Sequence, residues 1–114
     1  MNMLRIAFKS ALSIDPGYRL PRHGAAVVRG GALLAVGHNG RGCHAEIDAL
    51  EKLSPEDRVG CTVYSVRVAR TMTHAGMAKP CPNCEAYMRE YGVKKVYYST
   101  PTGEIDMMRL RKAA

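Results

Sequence analysis

The chain has 114 residues, 17 of them basic and 10 acidic, for a net charge of +7 with histidine neutral. That length fits one domain, expected over residues 1–114, with room for a two- or three-layer core. The first fourteen residues interrupt their apolar positions at Arg5, Lys9 and Ser10, which argues against a secretory signal or a membrane span.

A soluble, cytoplasmic protein with no membrane partner is therefore expected. Four cysteines without an export signal suit metal binding better than disulfides. The positive charge favours a phosphorylated or polyanionic partner, or is simply that of a basic, soluble surface. The Lys and Arg residues are scattered, except that Arg67, Arg70 and Lys79 flank one loop.

Residues 3–14 read as a helix, with Leu4, Phe8, Ala11 and Leu12 on one face. Asp15-Pro16-Gly17 ends it. Residues 23–29 read as a strand. Gly30-Gly31 is a two-residue hairpin signal, and residues 32–37 form the return strand. Nearly every position of that strand is apolar, so it is expected to be buried on both faces. A glycine-rich loop, 38–42, leads to a helix over 44–53 with Ile47, Leu50 and Leu53 facing the core. Residues 54–57 form a turn, 61–68 a strand, and 69–79 a long loop carrying His74. A second core helix starts at Cys81 and ends before Gly92, its C-terminal cap. Residues 93–99 and 105–110 are the last strands.

Strands separated by helices imply a mixed sheet with helices on its faces. Only about four residues separate the last two strands, too few for a parallel crossover. The expected architecture is a three-layer α/β/α domain with a five-stranded mixed sheet whose fourth and fifth strands run antiparallel.

Two short motifs carry the chemistry. His44-Ala45-Glu46 opens one helix and Pro80-Cys81-Pro82-Asn83-Cys84 opens the other. A C-x-x-C pair plus a distant histidine is the ligand set of a catalytic zinc with an open fourth position. Both ligand groups fall at helix N-termini, where the helix dipoles favour thiolates. Glu46, two residues from His44, is a spare carboxylate within reach of the metal site.

The paired motif resembles the signature of the zinc-dependent cytidine and deoxycytidylate deaminase superfamily, over roughly residues 23–110. The resemblance implies Zn2+ held by His44, Cys81 and Cys84, with Glu46 as the proton carrier in hydrolysis of a cytosine-type base to uracil and ammonia. It also implies a homodimer or homotetramer. The hairpin ending is similar to that of free-nucleoside enzymes, whereas histidine at position 44 is similar to the deoxycytidylate and transfer-RNA branches, so the subfamily stays open. Asn39, at the end of the second strand, is the candidate for holding a sugar hydroxyl or base carbonyl, or else a turn residue. Ala45 offers a backbone N–H to the base, or is simply a small helix residue.

The substrate class is a nucleoside or nucleotide such as cytidine, deoxycytidine or dCMP. A nucleoside analogue and single-stranded nucleic acid are the alternatives, although aromatic platforms for the latter are few. The rival class is a non-catalytic zinc module, which needs a fourth protein ligand from Cys43, His74 or Glu46. Cys43 and Cys61 are otherwise expected to be buried thiols, His23 and His38 structural, and His74 a loop residue. Of Tyr97 and Tyr98 at most one can face the pocket. Met107 and Met108 read as core or subunit interface.

Overall fold

The computed structural model describes residues 2–14, 22–40, 44–68 and 75–110. Its elements are α1 (Met3–Leu12), β1 (Arg22–Arg29), β2 (Ala32–His38), α2 (Ala45–Glu51), α3 (Pro55–Arg58), β3 (Thr62–Val68), β4 (Ala75–Gly76), α4 (Pro82–Tyr91), β5 (Lys95–Ser99) and β6 (Ile105–Arg109). The sheet order is β2-β1-β3-β5-β6, with β4 paired to β3. β3 and β5 are parallel, and α4 lies in the crossover between them.

The sheet thus has a sixth strand, where five were expected. The addition is the two-residue β4, which arises in the stretch read as a loop and pairs antiparallel with β3. The numbering shifts by one: the expected antiparallel pair at the end of the chain is β5 with β6, Lys95 opposite Arg109 and Ser99 opposite Ile105. The turn read over residues 54–57 is instead the single helical turn α3, with Ser54 as its N-cap and Pro55 at its start.

Two apolar clusters separate the layers. Ala7 of α1 packs with Ala26 and Val66 on one face of the sheet. Ala45, Ala49 and Leu50 of α2 and Cys84 and Met88 of α4 pack with Ala25, Val27, Val63 and Val96 on the other. Both helical layers approach the sheet at glycine. A Cβ at Gly24 would stand 1.9 Å from the Ala7 carbonyl oxygen, and one at Gly37 would stand 2.6 Å from that of Ala45.

This closeness corrects the expected face of α1. The buried residues are Ala7 and Ala11, while Phe8 is 39% exposed. Only a methyl-sized side chain fits between a helix and a strand at that separation, so the larger Phe8 is turned outward.

The return strand is also corrected. β2 is the edge of the sheet and is mostly exposed, Leu33 and Val36 included. Its apolar sequence implied two buried faces, but among the described residues only β1 flanks it. The turn before it has positive φ at both Gly30 and Gly31, the geometry of a tight hairpin. At the other end of the site, α4 closes on Gly92 in the left-handed conformation. Gly92 N–H donates to the Arg89 carbonyl and Val93 N–H to that of Met88, the paired bonds of a Schellman cap.

Candidate metal centre

His44 and Cys81 are the residues immediately before α2 and α4, both in extended conformation. The Cys81 sulfur accepts the Cys84 N–H at 3.5 Å, capping α4, and Pro82 enters the first turn. Pro82 has no N–H to leave unpaired there, and its fixed φ suits the helix. The two helices are tied at their far ends by Arg58, whose Nε donates to the Leu50 carbonyl and whose guanidinium lies 4.3 Å over the Tyr91 ring. The Tyr91 hydroxyl donates to Glu51 at 2.7 Å.

Held this way, His44 Nδ1 lies 2.9 Å from the Cys84 sulfur and 3.8 Å from that of Cys81. The three donor atoms all fall within 4.8 Å of one another. A tetrahedral zinc with Zn–S of about 2.3 Å and Zn–N of about 2.0–2.1 Å places S and N about 3.6 Å apart. The observed separations straddle that value, so the group fits Zn2+. Among the described residues no fourth His, Cys, Asp or Glu joins this group. Cys43 and His74, the other candidate ligands, lie outside the described residues.

A cleft of about 380 Å³ opens on the group. Ile47, Asn83 and Tyr87 line it together with the three donors, but Glu46 does not. Glu46 is instead buried, 1% exposed. Its Oε1 lies 3.5 Å from His23 Nε2 on β1 and has no hydrogen bond among the described residues. Burial pushes the Glu46 carboxyl up to about 7; its own backbone N–H and the Arg67 guanidinium pull the other way. Burial, with Arg67 and His44 adding to it, pushes His23 down to about 3. His23 is therefore neutral at pH 7, and its contact with Glu46 is not an ion pair. His23 Nε2 also meets Ser65 Oγ at 2.5 Å, and Ser65 Oγ donates to the Ala78 carbonyl at 3.2 Å.

Asn39 is half-buried just past β2 and locked to β1. Its Oδ1 accepts the His23 N–H at 2.9 Å, and its own N–H donates to the His23 carbonyl at 3.1 Å. Ala45 is fully buried in the first turn of α2. Cys61 is a buried thiol whose pKa is pushed up to about 11 by burial. His38 is exposed, its N–H donating to Asp48 at 3.1 Å. Tyr97 stacks on Tyr64 with ring centroids 5.1 Å apart, while Tyr98 is buried on the opposite face of β5. Met108 packs on the core and Met107 is exposed.

The partnership of His23 with Glu46 was not legible in the sequence. The two are far apart in the chain, and no motif joins them. The one available signal was a histidine at the start of an otherwise apolar strand.

No curated protein sequence matches the chain. Among solved structures it is similar to a dCMP deaminase from the cyanophage S-TIM5 in apo form, at 28% identity and a TM-score of 0.63, covering 86% of this chain and 79% of that one. It also shares its fold with Acinetobacter baumannii RibD. Two forms give 24% and 22% identity and TM-scores of 0.54 and 0.61, each over 86% of this chain. The chain spans about a quarter of the RibD chain (26% and 27%). Residues 1–100 match the family described as the cytidine and deoxycytidylate deaminase zinc-binding region. With the clustered His44, Cys81 and Cys84 donors, that match makes this chain a member of the zinc-dependent cytidine and deoxycytidylate deaminase family.

Proposed function

We propose that the chain hydrolyses the exocyclic amine of a cytosine-type base on a nucleotide or nucleoside, with a monophosphate such as dCMP as the leading substrate. The observation that carries this reading is a buried carboxylate, Glu46, two residues from one donor of a three-donor metal group. The dCMP deaminase likeness and the +7 charge support a phosphorylated substrate.

His44, Cys81 and Cys84 would hold the zinc, which when bound activates water for attack on C4 of the ring. Glu46 moves the protons. It takes one from the attacking water and gives it to the neighbouring ring nitrogen. It then takes the hydroxyl proton of the adduct and hands it to the departing amine, so that ammonia leaves and a carbonyl remains. A cation bound nearby favours the charged carboxylate, which opposes the effect of burial and supplies the base form at neutral pH. Asn39 holds the substrate through its side-chain amide, whose placement is fixed by the His23 N–H that its oxygen accepts. Ala45 offers its backbone N–H to the base.

The test is ammonia release from cytidine, deoxycytidine, CMP, dCMP and a single-stranded DNA oligonucleotide. The expected result is highest kcat/KM on dCMP or CMP. Release from DNA alone would move the substrate to nucleic acid, and release from none would overturn the cytosine reading.

The active form is proposed to be a homodimer or homotetramer. Leu33 and Val36 on the β2 edge, with Ile105 and Met107 on β6, leave apolar surface for a second copy. Sedimentation at micromolar concentration should show a species larger than 12.5 kDa. A single monomer boundary would refute the assembly.

A further inference from the structure

His23 is one of the few polar residues in the interior, 2% exposed on β1. A ring nitrogen buried without a partner forfeits its hydration and gains nothing in return. Its Nε2 points at two oxygens, Ser65 Oγ at 2.5 Å and Glu46 Oε1 at 3.5 Å. The Ser65 hydroxyl is also within 3.2 Å of the Ala78 carbonyl, which can only accept. With its proton directed there, Ser65 Oγ is the acceptor towards His23 and Nε2 carries the proton between them. The same nitrogen faces Glu46 Oε1, a buried oxygen with no hydrogen bond among the described residues. That gap is at the limit of a hydrogen bond, and such contacts often tighten only in the substrate complex.

The links on either side matter as much. Through Ser65, His23 reaches Ala78, three residues before Cys81. Through its backbone N–H and carbonyl it fixes Asn39. One residue thus touches the segment leading to the cysteines, the carboxylate and the substrate-binding asparagine.

We propose that His23 is a positioning residue, whose Nε2–H holds the Glu46 carboxylate in the orientation from which it transfers protons. This rests on the reading of Glu46 as proton carrier. The neutral imidazole serves better than a cation, because it orients the carboxylate without neutralising it. The remaining Glu46 oxygen is left for the reaction.

The discriminating variants differ in where they place an N–H. Glutamine puts its amide nitrogen near the position of Nε2, asparagine near that of Nδ1, and leucine has none. On whichever base the wild type deaminates, His23→Leu and His23→Asn should lose at least about tenfold in kcat, within the ~10²–10⁴-fold total of a general acid–base group. KM and bound zinc should change little, and His23→Gln should recover most of the kcat. If His23→Leu does not fold, the Gln and Asn pair decides. Equal kcat in those two, or a loss confined to KM, would overturn the proposal.

A second readout needs no substrate, so it survives failure of the cytosine reading. Long-range 1H–15N spectra of the zinc-loaded wild type should show His23 as the neutral Nε2–H tautomer. The Nε2–H resonance should shift in Glu46→Gln. A proton on Nδ1, or no response to Glu46→Gln, would sink the idea.

Discussion

Glu46→Gln is expected to remain folded and zinc-loaded while losing nearly all turnover. Glutamine keeps the volume and polarity of the side chain but cannot accept and return a proton. A positioned acid–base group is worth ~10²–10⁴-fold, and one used in successive transfers belongs at or above the upper end. Stability should not suffer. The Glu46 carboxyl is raised by burial from its ordinary 4.5 to about 7 in the metal-free protein. A raised folded-state pKa contributes stability that is complete below 4.5 and is lost as pH climbs through 7. Above that pH the ionised carboxylate gains nothing from being buried, and its amide replacement is at least as stable. The measurement is kcat, zinc content and melting temperature on the same preparation. Loss of zinc from Glu46→Gln would make Glu46 a ligand and favour a closed structural site. Full turnover would refute the proton-carrier role.

Cys84→Ala is expected to fail differently, losing zinc, activity and stability together. Cys84 is 5% exposed, belongs to the main core cluster and has its sulfur 2.9 Å from His44 Nδ1. Changes to groups that merely orient metal ligands cost about 10–100-fold in affinity, so loss of a ligand itself should cost more. Zinc held by His44, Cys81 and Cys84 would link the starts of α2 and α4, and binding free energy of that kind is also folding free energy. Dialysed wild type should hold about one zinc per chain, as the donor set requires, and Cys84→Ala far less. A chelator should lower the melting temperature of the wild type but leave that of Cys84→Ala unchanged. Zinc retained by Cys84→Ala at wild-type affinity would remove Cys84 from the ligand set.

Much of this site was legible because its parts are local. His44-Ala45-Glu46 and Pro80-Cys81-Pro82-Asn83-Cys84 each span a few residues at a helix start, where proline placement and ligand spacing have direct geometric meaning. Gly92 as the α4 cap and Gly30-Gly31 as the hairpin turn were readable for the same reason. The misreadings concern relations between distant segments. The β2 sequence is apolar along its whole length, and nothing within residues 32–38 says that only one neighbour will pair with it. Phe8 fits the helical face that its spacing suggests, but the contact between Gly24 and the α1 backbone selects alanine. His23 reads as an isolated polar residue until β3 is laid beside β1, which places His23 across from Arg67 and brings Ser65 within reach.

The placement of β1 has a consequence for local opening. It is hydrogen-bonded along both edges, to β2 and β3, and seven of its eight residues are buried. A segment enclosed on every side exposes its amides to exchange only through transitions close to global unfolding, whereas edge strands such as β2 and β6 can fray at far smaller free energy. His23 and the backbone that grips Asn39 belong to the enclosed segment. The side of the candidate site formed by β1 is therefore among the last parts of the molecule to loosen, and the motions that would admit the proposed substrate are expected from elements other than this strand.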